Sequence, residues 1–321
     1  MSQIFLETRN LKKYFKTAKG FLHAVDDVNL TIAKGETLGL VGESGCGKST
    51  LGRVIIRLLE ATEGQVLFNG EDITSFDKKD LRGFRRRAQM VFQDPYSSLN
   101  PRLSVEQLIS EPLRIHKVYS SERETTAHVK KLMDTVGLAQ RLATSFPHEL
   151  DGGRRQRIGM ARALALNPEF IVMDEPVSAL DVCIQAQILN LMQDLKEEYQ
   201  YTYLFITHDL SVVRHISNRI AVMYLGQIIE LADRIEMFSN PQHPYTQALL
   251  SAIPIPKVNI SRKGRIILEG DVPSPIKPPA GCRFYGRCPS RQDHCKTEEP
   301  ELKEYSPGHF LACHHPGPIS R

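Results

Sequence analysis

Eight consecutive residues near the N-terminus have the types and spacing of a phosphate-binding loop: Gly42-Glu43-Ser44-Gly45-Cys46-Gly47-Lys48-Ser49. Glycines at these positions let successive backbone N–H groups point at one anion, and the N-terminus of a following helix adds the positive end of its dipole. Lys48 would reach the β- and γ-phosphates, and the Ser49 hydroxyl would hold Mg²⁺. With Thr50 beside them, these residues predict a site for a nucleoside triphosphate and Mg²⁺ rather than an ordinary glycine-rich turn.

Two acidic residues end an apolar segment further along the chain, Phe170-Ile171-Val172-Met173-Asp174-Glu175. At the end of a buried parallel strand, Asp174 would hold Mg²⁺ directly or through water. Glu175 would polarise an attacking water as the general base. A strand that runs into an acidic loop is common in α/β proteins, so this pair gains its meaning from the phosphate-binding loop upstream.

A glutamine and a histidine also follow apolar segments. Gln93 comes after Val91-Phe92, and its amide could contact both Mg²⁺ and the attacking water. His208 follows the apolar segment 203–207, and open α/β sheets place their ligand chemistry at the carboxyl ends of strands. Its neutral imidazole would bridge the γ-phosphate and the general base or water. Taken alone, either residue is equally compatible with an ordinary loop or surface position.

The surrounding sequence predicts the elements that would position these groups. Residues 1–35 alternate between apolar and polar types, which indicates a small antiparallel sheet. A buried strand is predicted at 37–41, a core strand at 88–92 and further strands at 65–68, 169–173 and 203–206, with helices at 51–59 and 184–195. The apolar spacing is helical from about 100 to 165, with Gly137 as a helix stop. This alternation predicts a mostly parallel sheet covered by helices, with an inserted helical segment.

The composition is that of an ordinary globular protein. Of the 321 residues, 41% are hydrophobic and 24% are charged, and 41 Lys+Arg against 37 Asp+Glu leave a net charge of +4. This balance is too even to indicate a nucleic-acid partner. The sequence contains neither a signal-peptide pattern nor the ~20 apolar residues that span a bilayer. We therefore expect a cytoplasmic protein that reaches a membrane only through a partner.

In their order along the chain, these motifs resemble the ATPase subunit of an ABC transporter. The resemblance covers residues 1 to about 250 and adds two segments, Leu150-Asp151-Gly152-Gly153-Arg154-Arg155-Gln156-Arg157 and Ser178-Ala179-Leu180-Asp181. It implies an α/β fold with a RecA-like P-loop ATPase core, a small antiparallel β subdomain and an inserted helical subdomain. It also implies that Tyr14 stacks on adenine, that 178–181 form the D-loop and that His208 is the switch histidine. Two subunits of this family enclose two ATP molecules head to tail, so each phosphate-binding loop meets the other subunit's signature.

A narrower resemblance is to the importers of dipeptides, oligopeptides and nickel. It rests on the segments 93–101 and 240–250. In that branch, a second, non-identical ATPase subunit, two membrane-spanning permease subunits and, indirectly, a solute-binding protein are the partners. The resemblance implies ATP-driven import at the cytoplasmic face of the membrane, and leaves dipeptide, longer peptide, a glutathione-like compound and nickel open as the cargo.

The signature-like segment departs from the family pattern at two positions. The family normally carries Ser and Gln where this chain has Asp151 and Arg154, on either side of Gly152 and Gly153. An ionised carboxylate cannot donate to a γ-phosphate, and like charges about 4 Å apart repel by ~4 kcal/mol at an effective dielectric constant of 20. Arg154 would blunt that repulsion. We expect a weakened composite ATP site at this signature; a harmless substitution is the alternative.

Four of the six cysteines lie close together near the C-terminus: Cys282, Cys288, Cys295 and Cys313. Clustered cysteines in a cytosolic protein indicate a metal or redox site rather than disulfides. Their gaps are longer than the pairs typical of structural zinc, and favour an iron–sulfur cluster, for which some peptide-importer ATPases carry a similar four-cysteine motif of the 4Fe-4S type. Zinc, with neighbouring histidines as ligands, and no metal remain open. Arg283, Arg287 and Arg291 are predicted to offset the charge of the sulfurs.

The predicted organisation is an ATP-binding domain over 1–254, with its helical subdomain at about 94–165, and a small, irregular, Pro-rich, four-cysteine domain over 255–321 with a basic stretch at 262–265. Two other function classes stay open: a soluble ABC ATPase that acts on nucleic acid or ribosomes, and a regulatory ATPase that senses the cluster. The former usually carries two ATPase units or a long coiled-coil insertion, and neither is found in these 321 residues.

Overall fold

The structure is a computed structural model that describes residues 3–253 and 265–319. Its strands, in chain order, are β1 (Ile4–Thr17), β2 (Gly20–Ala33), β3 (Thr37–Val41), β4 (Glu63–Phe68), β5 (Glu71–Asp72), β6 (Ala88–Val91), β7 (Phe170–Asp174), β8 (Thr202–Thr207), β9 (Arg219–Tyr224), β10 (Gln227–Asp233), β11 (Lys303–Ser306) and β12 (His309–Leu311). Its α-helices are α1 (Lys48–Ile55), α2 (Lys78–Arg87), α3 (Pro95–Ser98), α4 (Val105–Ile115), α5 (Glu122–Thr135), α6 (Gly152–Leu164), α7 (Val182–Tyr199), α8 (Leu210–Ile216), α9 (Arg234–Ser239) and α10 (Pro244–Ser251).

These elements form two compact units. The first unit takes the described residues of 1–33, 37–74 and 207–321, and the second takes 34–36 and 75–206. The phosphate-binding loop and the four C-terminal cysteines belong to the first unit. The acidic pair and the signature-like segment belong to the second, so each unit carries part of the predicted chemistry.

Two sets of strands build the first unit. One is a sheet of order β2-β1-β4-β5 in which neighbouring strands are antiparallel, which confirms the antiparallel sheet predicted for residues 1–35. In the other set, β3 runs parallel to β9, and β10, β12 and β11 follow as antiparallel neighbours. All residues of β3 are buried, as expected for a strand whose sequence is an unbroken apolar run.

The predicted strand–loop–helix around the phosphate-binding loop is present, but its helix ends early. The sequence predicted a helix to Leu59, whereas α1 ends at Ile55. Arg57 has a φ of 55°, a left-handed conformation that interrupts the helix, and Leu58 is 45% exposed. The predicted C-terminal end of the helix was wrong because apolar residues continue to Leu59, beyond the point where the backbone leaves the helix.

In the second unit, β6, β7 and β8 are parallel neighbours in that order. Every residue of β7 and β8 is buried, and both strands confirm the ones predicted at 169–173 and 203–206. The helices α4, α5 and α6 pack on one another within the region predicted to be helical. Gly137, with a φ of 68°, follows the end of α5 and confirms the predicted helix stop.

The C-terminal region contains regular structure that the sequence did not predict. Strands β11 and β12 are antiparallel neighbours, and β12 pairs with β10 through Glu230–Leu311 and Leu231–Phe310. The predicted domain boundary at 254–255 and residues 262–264 of the basic stretch lie outside the described residues. In the described ranges, none of the helices combines the length and the apolar character needed to cross a membrane.

Candidate nucleotide site and four-cysteine pocket

The glycines of the phosphate-binding loop are required by the close approach of neighbouring backbone. At Gly47, φ is 109° and an added Cβ would lie 1.9 Å from the carbonyl oxygen of Ala24. At Gly42, an added Cβ would lie 2.2 Å from the carbonyl oxygen of Met223. Gly45, by contrast, has open space around it, and its neighbour Ser44 is exposed. The loop is therefore packed tightly at both ends and open in its middle.

The side chain of Lys48 lies across the loop at the start of α1. Its Nζ donates to the carbonyl oxygens of Gly42, at 2.8 Å, and Glu43, at 3.0 Å, and the residue is only 4% exposed. These contacts keep a positive charge within the loop, which favours an anion there. The Sγ of Cys46 lies 3.8 Å from Nζ, and burial raises the pKa of this thiol. Ser49 and Thr50 follow in the first turn of α1 and are half-buried.

Tyr14, predicted to stack on adenine, is held by a polar network on β1 and β2. Its hydroxyl donates to Asp26 Oδ1, and its ring centroid lies 4.1 Å from that of His23. The Nδ1 atom of His23 is 2.9 Å from Asp26 Oδ2. Burial alone would raise the pKa of Asp26, but hydrogen bonds from Tyr14, His23 and Arg283 outweigh it and hold that pKa below its usual value. Stacking on adenine stays a prediction.

The acidic pair lies at the end of β7. Asp174 is fully buried, and Glu175 is 8% exposed with a φ of 46°, which is uncommon for a residue other than glycine. The Nε2 of Gln93 donates to Glu175 Oε2 at 2.7 Å, and the Glu175 N–H donates to the carbonyl oxygen of Ile206 at 2.9 Å. The structure therefore brings together two of the predicted residues. Backbone strain of this kind is concentrated at functional sites.

The segment predicted as the D-loop is anchored to the same glutamate. The Ser178 hydroxyl donates to the carbonyl oxygen of Glu175 at 3.1 Å. Asp181 begins α7, and its Oδ1 accepts from the N–H of Ile184 at 3.1 Å. His208 is exposed just after β8 and belongs to the first unit, whereas Glu175 belongs to the second.

Asp151 has a structural role as the N-cap of α6. Its Oδ1 accepts from the N–H of Arg154 at 2.8 Å, and its Oδ2 lies 3.4 Å from Arg154 Nε. The Asp151 and Arg154 side chains are 60% and 49% exposed. At Gly153, an added Cβ would lie 2.7 Å from Ile184 Cγ2, and at Gly152 it would lie 3.2 Å from Leu180 Cδ2. The glycines thus allow close packing between the start of α6 and the beginning of α7.

Comparison with known proteins decides the family. The family model for ABC transporters matches residues 25–178, and the model for the C-terminal region of oligopeptide/dipeptide transporters matches residues 229–295. The chain is 54% identical to the oligopeptide transport ATP-binding protein AppF of Bacillus subtilis (strain 168), over 97% of each chain. This chain belongs to the ATP-binding proteins of ABC transporters. This ABC ATPase is also 51% identical to OppF of the same organism, over 98% of this chain and 97% of that one.

Solved structures agree with this assignment. The ATPase is similar to the dimeric ATP-binding cassette MJ0796 in a post-hydrolysis state bound to ADP and Pi, with a TM-score of 0.66 and 32% identity over 71% of this chain and 98% of that chain. It is also similar to cbiO1 of Clostridium perfringens, with a TM-score of 0.65 and 27% identity over 74% and 92% of the two chains. These similarities confirm the predicted P-loop ATPase fold.

The four C-terminal cysteines border one pocket in the first unit. Cys282, Cys288, Cys295 and Cys313 all line it, and all four are free thiols. Burial raises the pKa of Cys282 to about 11 and that of Cys313 to about 12, and neighbouring cysteines add to both shifts. The thiols are therefore close enough to interact. Thiols of this kind become thiolates when a strong Lewis acid binds them, so their chemistry is compatible with metal ligation.

A second donor set overlaps this pocket, which Cys295 and His315 line. Donor atoms of His294, Cys295 and His315 lie within 4.8 Å of one another, with 3.1 Å between the two Nε2 atoms. Imidazole and thiolate together suit zinc. Among the described residues, His294, Cys295 and His315 are the donors brought this close together, whereas a cluster on the four sulfurs stays a prediction.

The arginines among the cysteines are only partly placed as predicted. Arg291 lines the pocket, where burial raises the pKa of Cys288 and the Arg291 charge opposes that rise. Arg283 and Arg287 instead form ion pairs with Asp26 and with Glu43 of the phosphate-binding loop. The prediction was wrong for these two arginines, because no local pattern reveals partners that lie 257 and 244 residues away.

Proposed function

We propose that this chain is the ATP-hydrolysing subunit of an importer of dipeptides or oligopeptides. The observation that carries the proposal is the Gln93–Glu175 hydrogen bond of 2.7 Å at the end of β7, in a chain that also has a complete phosphate-binding loop. The peptide cargo is inferred from relatives whose names describe oligopeptide transport, at 54% and 51% identity.

The proposed mechanism divides the work among these residues. Lys48 and the loop amides bind the phosphates, and Ser49 and Asp174 provide oxygen ligands for Mg²⁺, which offsets phosphate charge when bound. Glu175 takes a proton from the attacking water as general base. Gln93 orients the Glu175 carboxylate through its amide. His208 contacts the γ-phosphate, and Tyr14 stacks on adenine.

Substitution of Glu175 by glutamine tests the mechanism with little structural change. The variant Glu175→Gln keeps an oxygen that can accept from Gln93, but its amide cannot take up a proton. We expect unchanged MgATP binding and a loss of hydrolysis of at least about 100-fold, the usual contribution of a general base. Glu197→Gln, the same chemical change at an exposed position of α7, is the matched control. Hydrolysis by the Glu175→Gln variant at the parent rate, in the lipid-reconstituted transporter, would refute the role of Glu175.

The importer requires partners that this chain does not supply. We propose two permease subunits, a solute-binding protein that acts on them, and a second, non-identical ATPase subunit at the cytoplasmic face of the membrane. The departure at Asp151 supports non-identity, because a weakened signature is tolerable when the partner provides a competent one. Co-expression with candidate permeases, followed by membrane fractionation, tests this. Recovery with ribosomes instead of membrane subunits would favour a soluble ABC ATPase.

We also propose that Cys282, Cys288, Cys295 and Cys313 hold a 4Fe-4S cluster. The support is that all four thiols line one pocket and that the other three cysteines add to the rise in the pKa of Cys313 that burial causes. The group would cross-link this segment through its thiolate ligands, because a short segment with few apolar residues cannot build a core unaided.

Anaerobic purification tests the metal assignment. We expect a brown protein that absorbs near 400 nm and loses that absorbance in Cys288→Ser, a cysteine outside the His294–Cys295–His315 set. A colourless protein with one zinc per chain, retained in Cys288→Ser, would refute the cluster and favour the mixed site. A colourless protein without metal would refute both.

A further inference from the structure

Arg287 of the cysteine-rich segment is bound to the phosphate-binding loop. Its Nη1 and Nη2 donate to the two carboxylate oxygens of Glu43, at 2.8 Å and 3.0 Å. The Arg287 side chain is 10% exposed and that of Glu43 is 29% exposed. A two-pronged arginine–carboxylate pair fixes direction as well as distance. Cys288 follows Arg287 directly, so two consecutive residues provide a predicted metal ligand and an ion pair with the phosphate-binding loop.

Arg283 makes a comparable contact with Asp26, the hydrogen-bond partner of Tyr14, which is predicted to stack on adenine. It donates to Asp26 Oδ2 and to the carbonyl oxygen of Leu225, and its side chain is 6% exposed. Asp26 accepts at its other oxygen from Tyr14. Cys282 precedes Arg283 directly, so here too a predicted metal ligand is the chain neighbour of an arginine that binds a carboxylate.

An aromatic residue between the two arginines completes the connection. Phe284 is 1% exposed, and its ring centroid lies 5.5 Å from that of Tyr245. The Tyr245 hydroxyl accepts from the N–H of Glu43 at 2.9 Å. The loop is thus held at the Glu43 side chain by Arg287 and at the Glu43 backbone by a tyrosine that packs on the same segment.

We propose that Arg283 and Arg287 are positioning residues for the nucleotide, so that the cysteine-rich segment forms part of the ATP site. This inference rests on the proposed ATPase function. Arg287 acts on the phosphate end, because it directs and neutralises a carboxylate that would otherwise repel the triphosphate. Arg283 acts on the adenine end, because it fixes Asp26 and, through Asp26, the Tyr14 ring.

The Arg287 arm is tested with the full-length subunit by titration with a fluorescent ATP analogue. We expect Arg287→Met to weaken binding about tenfold, because the Glu43 charge is then left unpaired beside the phosphates. Adding Glu43→Gln to that variant removes the stray charge and should recover most of the affinity. Lys303→Met is the matched control, since it breaks a surface ion pair of the same segment in which both side chains are about 75% exposed.

Comparing the binding of ATP with that of inorganic tripolyphosphate distinguishes the roles of Arg283 and Arg287 from a general loss of structure. Arg283→Gln should weaken ATP binding and leave inorganic tripolyphosphate binding unchanged, whereas Arg287→Met should weaken both. Should Arg283→Gln not fold by thermal melting, Arg283→Lys, which keeps one donor to Asp26, is used and should show the same selectivity in smaller measure. Equal weakening of both ligands by the Arg283 variant would overturn its role at adenine.

The outcomes distinguish this inference from the proposed function. If the parent protein does not bind MgATP, the proposed function fails. If the parent binds and Arg287→Met binds equally well, or Glu43→Gln brings no recovery, the positioning role of Arg287 fails while the ATPase assignment stands.

Discussion

Asp151 offers a test in which a structural and a functional effect can be separated. Its Oδ1 caps α6 by accepting from the Arg154 N–H at 2.8 Å. Serine supplies an oxygen acceptor at the same place, and alanine supplies none. We therefore expect Asp151→Ser to change the free energy of unfolding by less than about 0.5 kcal/mol, and Asp151→Ala to lower it by about 1 kcal/mol.

Although Asp151→Ser should leave stability nearly unchanged, we expect it to change the rate of ATP hydrolysis. An unscreened carboxylate about 4 Å from a phosphate would cost ~4 kcal/mol at an effective dielectric constant of 20. The Arg154 and Asp151 side chains are 49% and 60% exposed and Arg154 Nε lies 3.4 Å from Oδ2, so solvent and the arginine reduce that cost. With ~1 kcal/mol remaining, Asp151→Ser should raise the ATPase rate about fivefold.

The assay is ATP hydrolysis by the assembled, lipid-reconstituted transporter, with thermal melting of the isolated subunit alongside. Asp151→Ala controls for removal of the charge without a replacement cap. If Asp151→Ser melts like the parent and also hydrolyses ATP at the parent rate, the signature is not weakened by its carboxylate, and the substitution is harmless.

Two further outcomes follow from the described geometry. Gly47→Ala should abolish nucleotide binding, measured by titration, because its Cβ would lie 1.9 Å from the Ala24 carbonyl oxygen; binding at parent affinity would contradict the loop geometry. Hydrogen bonding to Glu230 raises the pKa of His309 above its usual 6.5, so this pair stabilises the fold fully below about pH 6.5, and its contribution is lost as pH rises through the raised pKa. His309→Gln should therefore destabilise the protein more at pH 5.5 than at pH 8.5 in urea unfolding, and an equal loss at both would refute the linkage.

Local signals made the core of the fold predictable. The strand at 37–41, the glycine loop and the start of α1 are specified within a few residues, by an apolar run and by glycines at positions where neighbouring backbone would lie within 2.2 Å of an added Cβ. The end of α1 was missed because the left-handed conformation of Arg57 leaves no compositional trace. The sequence assigned Gln93 and Glu175 to the same attacking water, and the direct hydrogen bond between them was not predicted.

Contacts between distant parts of the chain could not be predicted. Strand β12 has three residues, too few to show a period, and forms because β10 offers it a partner. The four cysteines could be recognised as a group by their type, but arginine is common on surfaces and its partner cannot be read from its neighbours. Arg283 and Arg287 were therefore assigned to the sulfurs when their partners are carboxylates on β2 and in the phosphate-binding loop.

The discontinuity of the first unit has a consequence for biosynthesis. Asp26 and Arg283 are 257 residues apart, so at roughly 5–20 residues per second about 13–50 s separate their synthesis. The second unit is complete in sequence once residue 206 has been made, whereas the first must wait for its last third. Contacts of such long range also form slowly. In a nascent subunit, the contacts by which Arg283 and Arg287 position the nucleotide site therefore form late, when translation has nearly ended.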